Sequence, residues 1–333
     1  MTPEGRVTAV GRQPAEGRPE AGRSTRPVRS LPPDPPAPSA TADLAVQARD
    51  LPLDAHLHTD LSPDSDVPID AYAEQAVERG IAEIAITDHL DFAPSAAAFA
   101  FATFDERERV VRAAAERWAP HGIAIRFGVE ITYDQRYEAD IREHLARHAY
   151  DYVIGSVHVH AESPFHASRI AGWTAGRPLP EIVAPYFDEV LRAIRTGLFD
   201  TLGHLDFVKR YLVPHVMPAD LAAAPELYEP LLVALVETGT GLEVNTSGLR
   251  QVTAETYPAK PIVERYRLLG GTSVSAGSDS HRKGSFTAGL EAGYGVVAAA
   301  GFRQLAVRRG ESTVELALPD RFRTLRRVEK ART

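Results

Sequence analysis

The 333-residue chain contains no cysteine, which excludes disulfides, thiolate metal sites and cysteine nucleophiles. Basic residues are outnumbered, 37 Lys and Arg against 45 Asp and Glu, leaving a net charge of −8. That balance argues against non-specific binding to nucleic acid or to an anionic membrane, both of which want a basic face. No stretch approaches the ~18 consecutive apolar residues of a membrane span. The N-terminus also lacks the apolar core of a secretory signal, so the expected location is cytoplasmic. Aromatics are missing from the start of the chain, and the first is Tyr72. Residues 1–47 are instead rich in Pro, Arg, Gly, Ala and Ser, and cannot bury enough apolar area to offset the entropy of ordering. They are expected to be a disordered tail, followed by one catalytic domain over 48–320 and a short basic tail over 321–333.

Past residue 48, strand-like and helix-like segments alternate, the pattern of a parallel sheet with helical crossovers. Ile69 to Arg79 is amphipathic and is closed by Gly80, as a helix C-cap would be. Helices are expected again at 104–118, 139–148, 181–195, 227–237, 262–269 and 286–300. The strands between them end in His56, His89, Glu130, His158, His204, Asn245 and Asp279, and segments 304–307 and 313–318 read as a terminal strand pair. Seven β/α units of this kind predict an α/β barrel, in which the carboxyl ends of the strands converge on one face. Histidines and carboxylates scattered through the sequence then become one cluster. One buried histidine is easily a core residue, but six with three carboxylates would be costly to bury without a shared cation. His56-Leu57-His58 places two imidazoles on the same side of an extended segment, where they can close on one ion.

Six stretches in order, Asp54-Ala55-His56-Leu57-His58-Thr59, Ile86-Thr87-Asp88-His89, Gly128-Val129-Glu130, Gly155-Ser156-Val157-His158, Gly203-His204-Leu205-Asp206 and Ser278-Asp279-Ser280-His281, resemble the PHP (polymerase and histidinol phosphatase) family and, within it, the histidinol-phosphate phosphatases. The resemblance covers about residues 54–286. It implies a distorted seven-stranded (β/α)7 TIM-like barrel with a trinuclear centre of divalent zinc, iron or manganese. By position, the first metal takes His56, His58, Glu130 and Asp279. The second takes bridging Glu130 with His158 and His204, and the third takes Asp64, His89 and His281. Asp60 or Asp66 are alternatives to Asp64, and Asp54 and Asp88 are expected to orient ligating imidazoles.

The implied reaction is hydrolysis of L-histidinol phosphate to L-histidinol and phosphate in histidine biosynthesis, through metal-activated hydroxide attacking phosphorus. The partner is then a small phosphomonoester, with neither nucleic acid nor membrane, and the sequence carries no signal of oligomeric state. Arg210, Arg250 and Lys209 are the candidate phosphate-binding cations. Asp206, Glu162 and Asn245 are candidates for the amino-alcohol end, and His160 is a candidate acid for the leaving oxygen. Competing readings are a phosphatase of another small monoester, a phosphodiesterase or exonuclease, and a metal-stabilised binding module.

Overall fold

The computed structural model describes residues 48–309 and 312–323. The tail expected over 1–47, and most of that expected over 321–333, lie outside the described residues. The segments anticipated as strands form one parallel sheet curled into a barrel: β1 (Asp54–Leu57), β2 (Glu83–Ile86), β4 (Ala124–Thr132), β5 (Tyr152–Ser156), β6 (Thr201–Leu202), β7 (Gly241–Asn245) and β8 (Val274–Gly277), in that order. A two-residue strand, β3 (His89–Leu90), resumes the line of β2 after the break at Thr87-Asp88 and pairs with β4 at Glu130 and Ile131. Every residue of β1, β2, β5, β7 and β8 is buried, because each strand lies between the barrel interior and a helical layer.

The barrel closes where β8 meets β1. A bridge joins Leu57 to Ser280, and the Asp279 and His58 N–H groups donate to the His56 and Ser280 carbonyls at 2.9 and 3.0 Å. Helix α1 (Ile69–Arg79) secures this seam through Tyr72, whose buried hydroxyl lies 3.0 Å from the His58 carbonyl and 2.9 Å from that of Ser280. Gly80 ends α1 in the left-handed conformation (φ 67°), a position that costs a glycine little. Helix α2 (Phe104–Trp118) starts at Thr103, whose side chain accepts from the Glu106 N–H. Its buried Arg107 reaches back to the Asp88 and His89 carbonyls at 3.0 and 2.7 Å, fixing the break between β2 and β3.

Helix α3 (Glu138–Arg147) follows β4. Short α4 (Ile170–Thr174) and long α5 (Leu179–Arg195) follow β5, and short α6 (Lys209–Leu212) and α7 (Pro218–Ala222) precede α8 (Glu229–Thr238). Helices α9 (Lys260–Leu268) and α10 (Leu290–Ala299) complete the repeat. The short α4, α6 and α7 were not anticipated, since four- or five-residue helices show no usable periodicity. The expected terminal strands form an antiparallel hairpin, β9 (Gln304–Arg309) and β10 (Ser312–Ala317), packed at the amino ends of the barrel strands. The final turn, α11 (Asp320–Arg323), buries Phe322 against Tyr294, so the chain stays docked slightly past the boundary expected at residue 320. No helix among the described residues is long and apolar enough to cross a membrane.

Candidate metal centre

Side chains at or beyond the carboxyl ends of β1, β2, β5, β6 and β8, with one from within β4, bring nine residues together, and Glu130 stands at their middle. It was expected just past a strand end, but β4 runs on to Thr132, so Glu130 projects from within the strand and is buried. Its Oε2 faces His56 Nε2 at 3.3 Å, His58 Nε2 at 3.4 Å and His89 Nδ1 at 2.9 Å. Its Oε1 faces His204 Nε2 at 2.9 Å and His158 Nε2 at 3.5 Å. The two oxygens therefore point at two separate groups of nitrogens, which is the arrangement of a bridging carboxylate.

Among the described residues the side chains gather in overlapping groups, His58 with Asp64, His89 and His281, His56 with His58 and Asp279, and His89 with Glu130 and His158. The division into three sites expected from the sequence is laid over them. His56, His58, Glu130 and Asp279 stand close, with His56 Nε2 3.0 Å from His58 Nε2 and Asp279 Oδ1 3.4 and 3.8 Å from the two imidazoles. His158 and His204 share Glu130 Oε1. Asp64 Oδ2 lies 3.3 Å from His89 Nε2 and 3.2 Å from His281 Nε2. Donors about 2.0–2.1 Å from a tetrahedral ion stand roughly 3.3 Å apart, so the spacing fits cations of zinc size. Imidazole nitrogens and carboxylate oxygens here converge on shared points. His281 Nδ1 lies 3.2 Å from the Asp279 carbonyl, so Nε2 is the nitrogen turned to the Asp64 carboxylate. Glu130 Oε2 and His58 Nδ1 are buried without a hydrogen bond. Unpartnered buried polar atoms are rare in folded proteins, and these two belong to residues of the cluster.

The electrostatics have the same origin. Burial alone would raise the Glu130 carboxyl, but His89, His56 and His158 outweigh it and hold the group well below the ordinary carboxylate range. Asp279 is held down likewise, against burial, by His56, His58 and His281. Burial lowers His56 and His89, yet the facing carboxylates reverse this and raise both well above the usual histidine value. His158 is pushed down to about 3, chiefly by burial. His58 goes down through burial and the neighbouring His281 and His89.

The supporting residues differ from those expected. Asp54 and Asp88 do not touch the imidazoles. Asp54 Oδ1 accepts from the Ser278 N–H at 2.8 Å, and Asp88 accepts from the Thr59 N–H and hydroxyl at 2.6 and 2.8 Å. They hold the loops that carry the donors. Asp279 adopts φ 51°, unfavourable for a residue with a Cβ, and Asp54, the His56 carbonyl and Arg250 together hold its segment. The imidazoles themselves meet Thr132, whose hydroxyl lies 2.9 Å from His158 Nδ1, and Glu243, 2.7 Å from His56 Nδ1. Neither was singled out in the sequence. A carboxylate inside the otherwise apolar stretch Gly241–Val244 is the signal that points to Glu243.

Several expected substrate contacts are corrected by the geometry. Lys209 is buried, with its ammonium 2.8 Å from Asp206 Oδ2 and against Glu255 Oε1, so these carboxylates already neutralise the cation meant for phosphate. Asp206, expected to act on substrate, is fully buried in the same pair and also accepts from the Tyr228 hydroxyl at 3.2 Å. Arg250 donates to the main-chain carbonyls of Ala288, Ser278 and Asp279, and so grips the loop beneath a donor. Asn245 is fully buried and turned toward Glu243 and Asp279. His160 is exposed and turned toward Glu162, 3.6 Å away, outside the donor groups. Asp60 and Asp66 also stay apart from those groups, with Asp66 paired to Arg282 at 3.6 Å. Arg210 lies over the rings of Phe207 and Tyr211, 5.1 and 5.4 Å from their centroids. Phe207 in turn packs on His158 and His204, which puts this guanidinium one ring from the cluster.

A family model described as "PHP domain" matches residues 54–247. A probable histidinol-phosphatase of Deinococcus radiodurans is 30% identical over 69% of this chain and 86% of its own length. A probable histidinol-phosphatase of Thermotoga maritima is 29% identical over 72% and 88%. The histidinol-phosphatase of Lactococcus lactis is 26% identical over 78% of this chain and 94% of its own. The crystal structure of histidinol phosphate phosphatase from that organism, complexed with zinc, L-histidinol and phosphate, shares the fold, with a TM-score of 0.66 at 24% identity, covering 79% of this chain and 98% of that one.

Proposed function

From the premise that this chain belongs to the PHP domain family, we propose that it is a metal-dependent phosphomonoesterase that hydrolyses L-histidinol phosphate to L-histidinol and phosphate. The observation that carries the reading is the Glu130 carboxylate, buried between two groups of imidazoles with one oxygen turned to each. His56, His58, Glu130 and Asp279 would hold one divalent ion, Glu130 with His158 and His204 a second, and Asp64, His89 and His281 a third. Nitrogen and oxygen donors without sulfur suit zinc, iron or manganese. Bound there, such ions supply Lewis acidity toward water and toward the oxygens of a phosphate ester.

The chain's own residues do the rest. Buried carboxylates and imidazoles keep the donors fixed, so little reorganisation is needed as charge develops at phosphorus. Arg210, stacked on Phe207 beside the second donor group, is the cation we assign to meet a phosphate oxygen. The relatives named as histidinol-phosphatases support the substrate. The acidic chain gives no support to tracking along a nucleic-acid strand.

The test is phosphate release by zinc-reconstituted protein on L-histidinol phosphate, set against sugar phosphates, nucleotides and a diester. A large preference in kcat/KM for L-histidinol phosphate, abolished in Glu130→Ala, is expected. Equal rates across the monoesters would overturn the substrate, and diester cleavage would overturn the reaction class.

A further inference from the structure

β7 contributes none of the nine donors, yet it lies between β6 and β8, which do. We propose that Glu243 and Asn245, two residues apart on β7, are positioning residues that hold His56 in a single tautomer and tie the first and second donor groups together. The proposal rests on the donor groups described above. Glu243 is fully buried, and its carboxylate has acceptors only. Oε1 lies 2.7 Å from His56 Nδ1, so that nitrogen must carry a proton, and the neutral, metal-binding form of the ring must present its lone pair at Nε2. Oε2 accepts from the His204 main-chain N–H at 2.8 Å and from Asn245 Nδ2 at 3.1 Å.

The orientation of the Asn245 amide is fixed by its other end. Oδ1 accepts from the Ser247 N–H at 2.9 Å and from the Ser247 hydroxyl at 2.7 Å, and a main-chain N–H can only donate. Nδ2 must therefore face the carboxylates, where it also lies 3.3 Å from Asp279 Oδ2. Donors from β1, from the β6 loop and from the β8 end thus meet on two side chains of the strand that supplies no donor. The barrel makes room for the pair at Gly277, where a Cβ would strike the His56 Cβ and come within 2.7 Å of Glu243 Oε1.

The chemistry singles out Glu243→Gln as the informative change. A carboxamide of the same shape has one donor end. Turned toward Oε2's partners, it meets the His204 N–H and the Asn245 amide, donor against donor. Turned toward His56, it forces Nδ1 to accept and drives an Nε2–H into the cluster. Either way the first donor group is spoiled while the volume is kept.

Zinc affinity of the full chain is measured by competition with a chromophoric chelator, with far-UV circular dichroism to check folding. Folded Glu243→Gln is expected to bind one zinc equivalent about 10–100-fold more weakly than wild type, the usual effect of losing an imidazole's carboxylate partner. Equal zinc binding by both proteins would overturn the positioning role and leave the donor groups intact. Failure of wild type to bind zinc would overturn the donor groups, and this proposal with them. Should Glu243→Gln fail to fold, wild type alone decides. In nitrogen-15 histidine spectra of the zinc-loaded protein, the His56 signal, identified by its loss in His56→Gln, must show a protonated Nδ1 and a metal-bound Nε2. A protonated Nε2 would overturn the proposal.

Discussion

The two ends of this barrel carry the same kinds of charged residue in opposite conditions. At the amino ends each carboxylate has its own cation. Glu83 is held by Arg126 at 2.9 Å and by Arg309 of β9, and Asp151 by Arg112 at 2.6 Å. Asp200 accepts from the Val153 N–H at 2.9 Å, with Arg308 beside it. At the carboxyl ends, Glu130, Asp279 and Asp64 face imidazoles, with the Asn245 amide also 3.3 Å from Asp279, and buried atoms of Glu130, Asp64, His58 and His204 go unpartnered. At the amino end these three carboxylates are each met by arginine within the chain. The other end gathers acids and imidazoles around one region, an arrangement that a bound cation would complete. The ends thus divide stability from chemistry, as expected for this architecture.

That division can be broken from either side. The largest effect is expected from Glu130→Gln, which removes the shared charge from both donor groups. kcat/KM should fall by on the order of 10³-fold or more. A variant within tenfold of wild-type activity would end the bridging role. Glu83→Ala should do the reverse. Leaving Arg126 and Arg309 facing each other without their carboxylate should cost about 3 kcal/mol in urea unfolding, with kcat within a factor of about two, because only the amino end is touched. A large loss of kcat there would erase the contrast.

Protonation sharpens the comparison. Without metal, His56 and His89 are raised well above their usual value by the facing carboxylates and are protonated at neutral pH. Zinc uptake at pH 7 should therefore release protons, and affinity should fall as pH falls. Calorimetry in buffers of different ionisation enthalpy counts them, and zero release would contradict the raised, charged state of these two imidazoles. Arg210→Ala should raise KM about tenfold, the scale of one charge-assisted contact, with kcat less affected. The smallest effect is expected for His160→Gln. Its ring lies outside the donor groups, so turnover close to wild type should result, and a large loss would restore it as the general acid.

The sequence by itself determined the architecture and the membership of the cluster, because both follow from local rules repeated along the chain. Apolar runs alternating with amphipathic segments specify a parallel barrel, and a parallel barrel brings strand ends together whatever their distance in sequence. The helix at 69–79 with its Gly80 cap, the helix at 104–118 and the terminal hairpin were all legible in this way. The nine donors could be named because histidines and acids at strand ends break the pattern of apolar residues.

Only the tertiary structure decided which charges are already answered. Lys209, Arg250, Asp206 and Asn245 look in sequence like groups for a substrate, since their side chains are polar and follow strand ends. Whether such a group meets a ligand or a neighbour depends on rotamers and on residues dozens of positions away: Lys209 on Glu255, Arg250 on the loop at 278–279, Asn245 on Asp279. Glu243 was hidden for the converse reason. Nothing local marks it as the partner of an imidazole 187 positions earlier, and only closure of β8 onto β1 puts the two 2.7 Å apart.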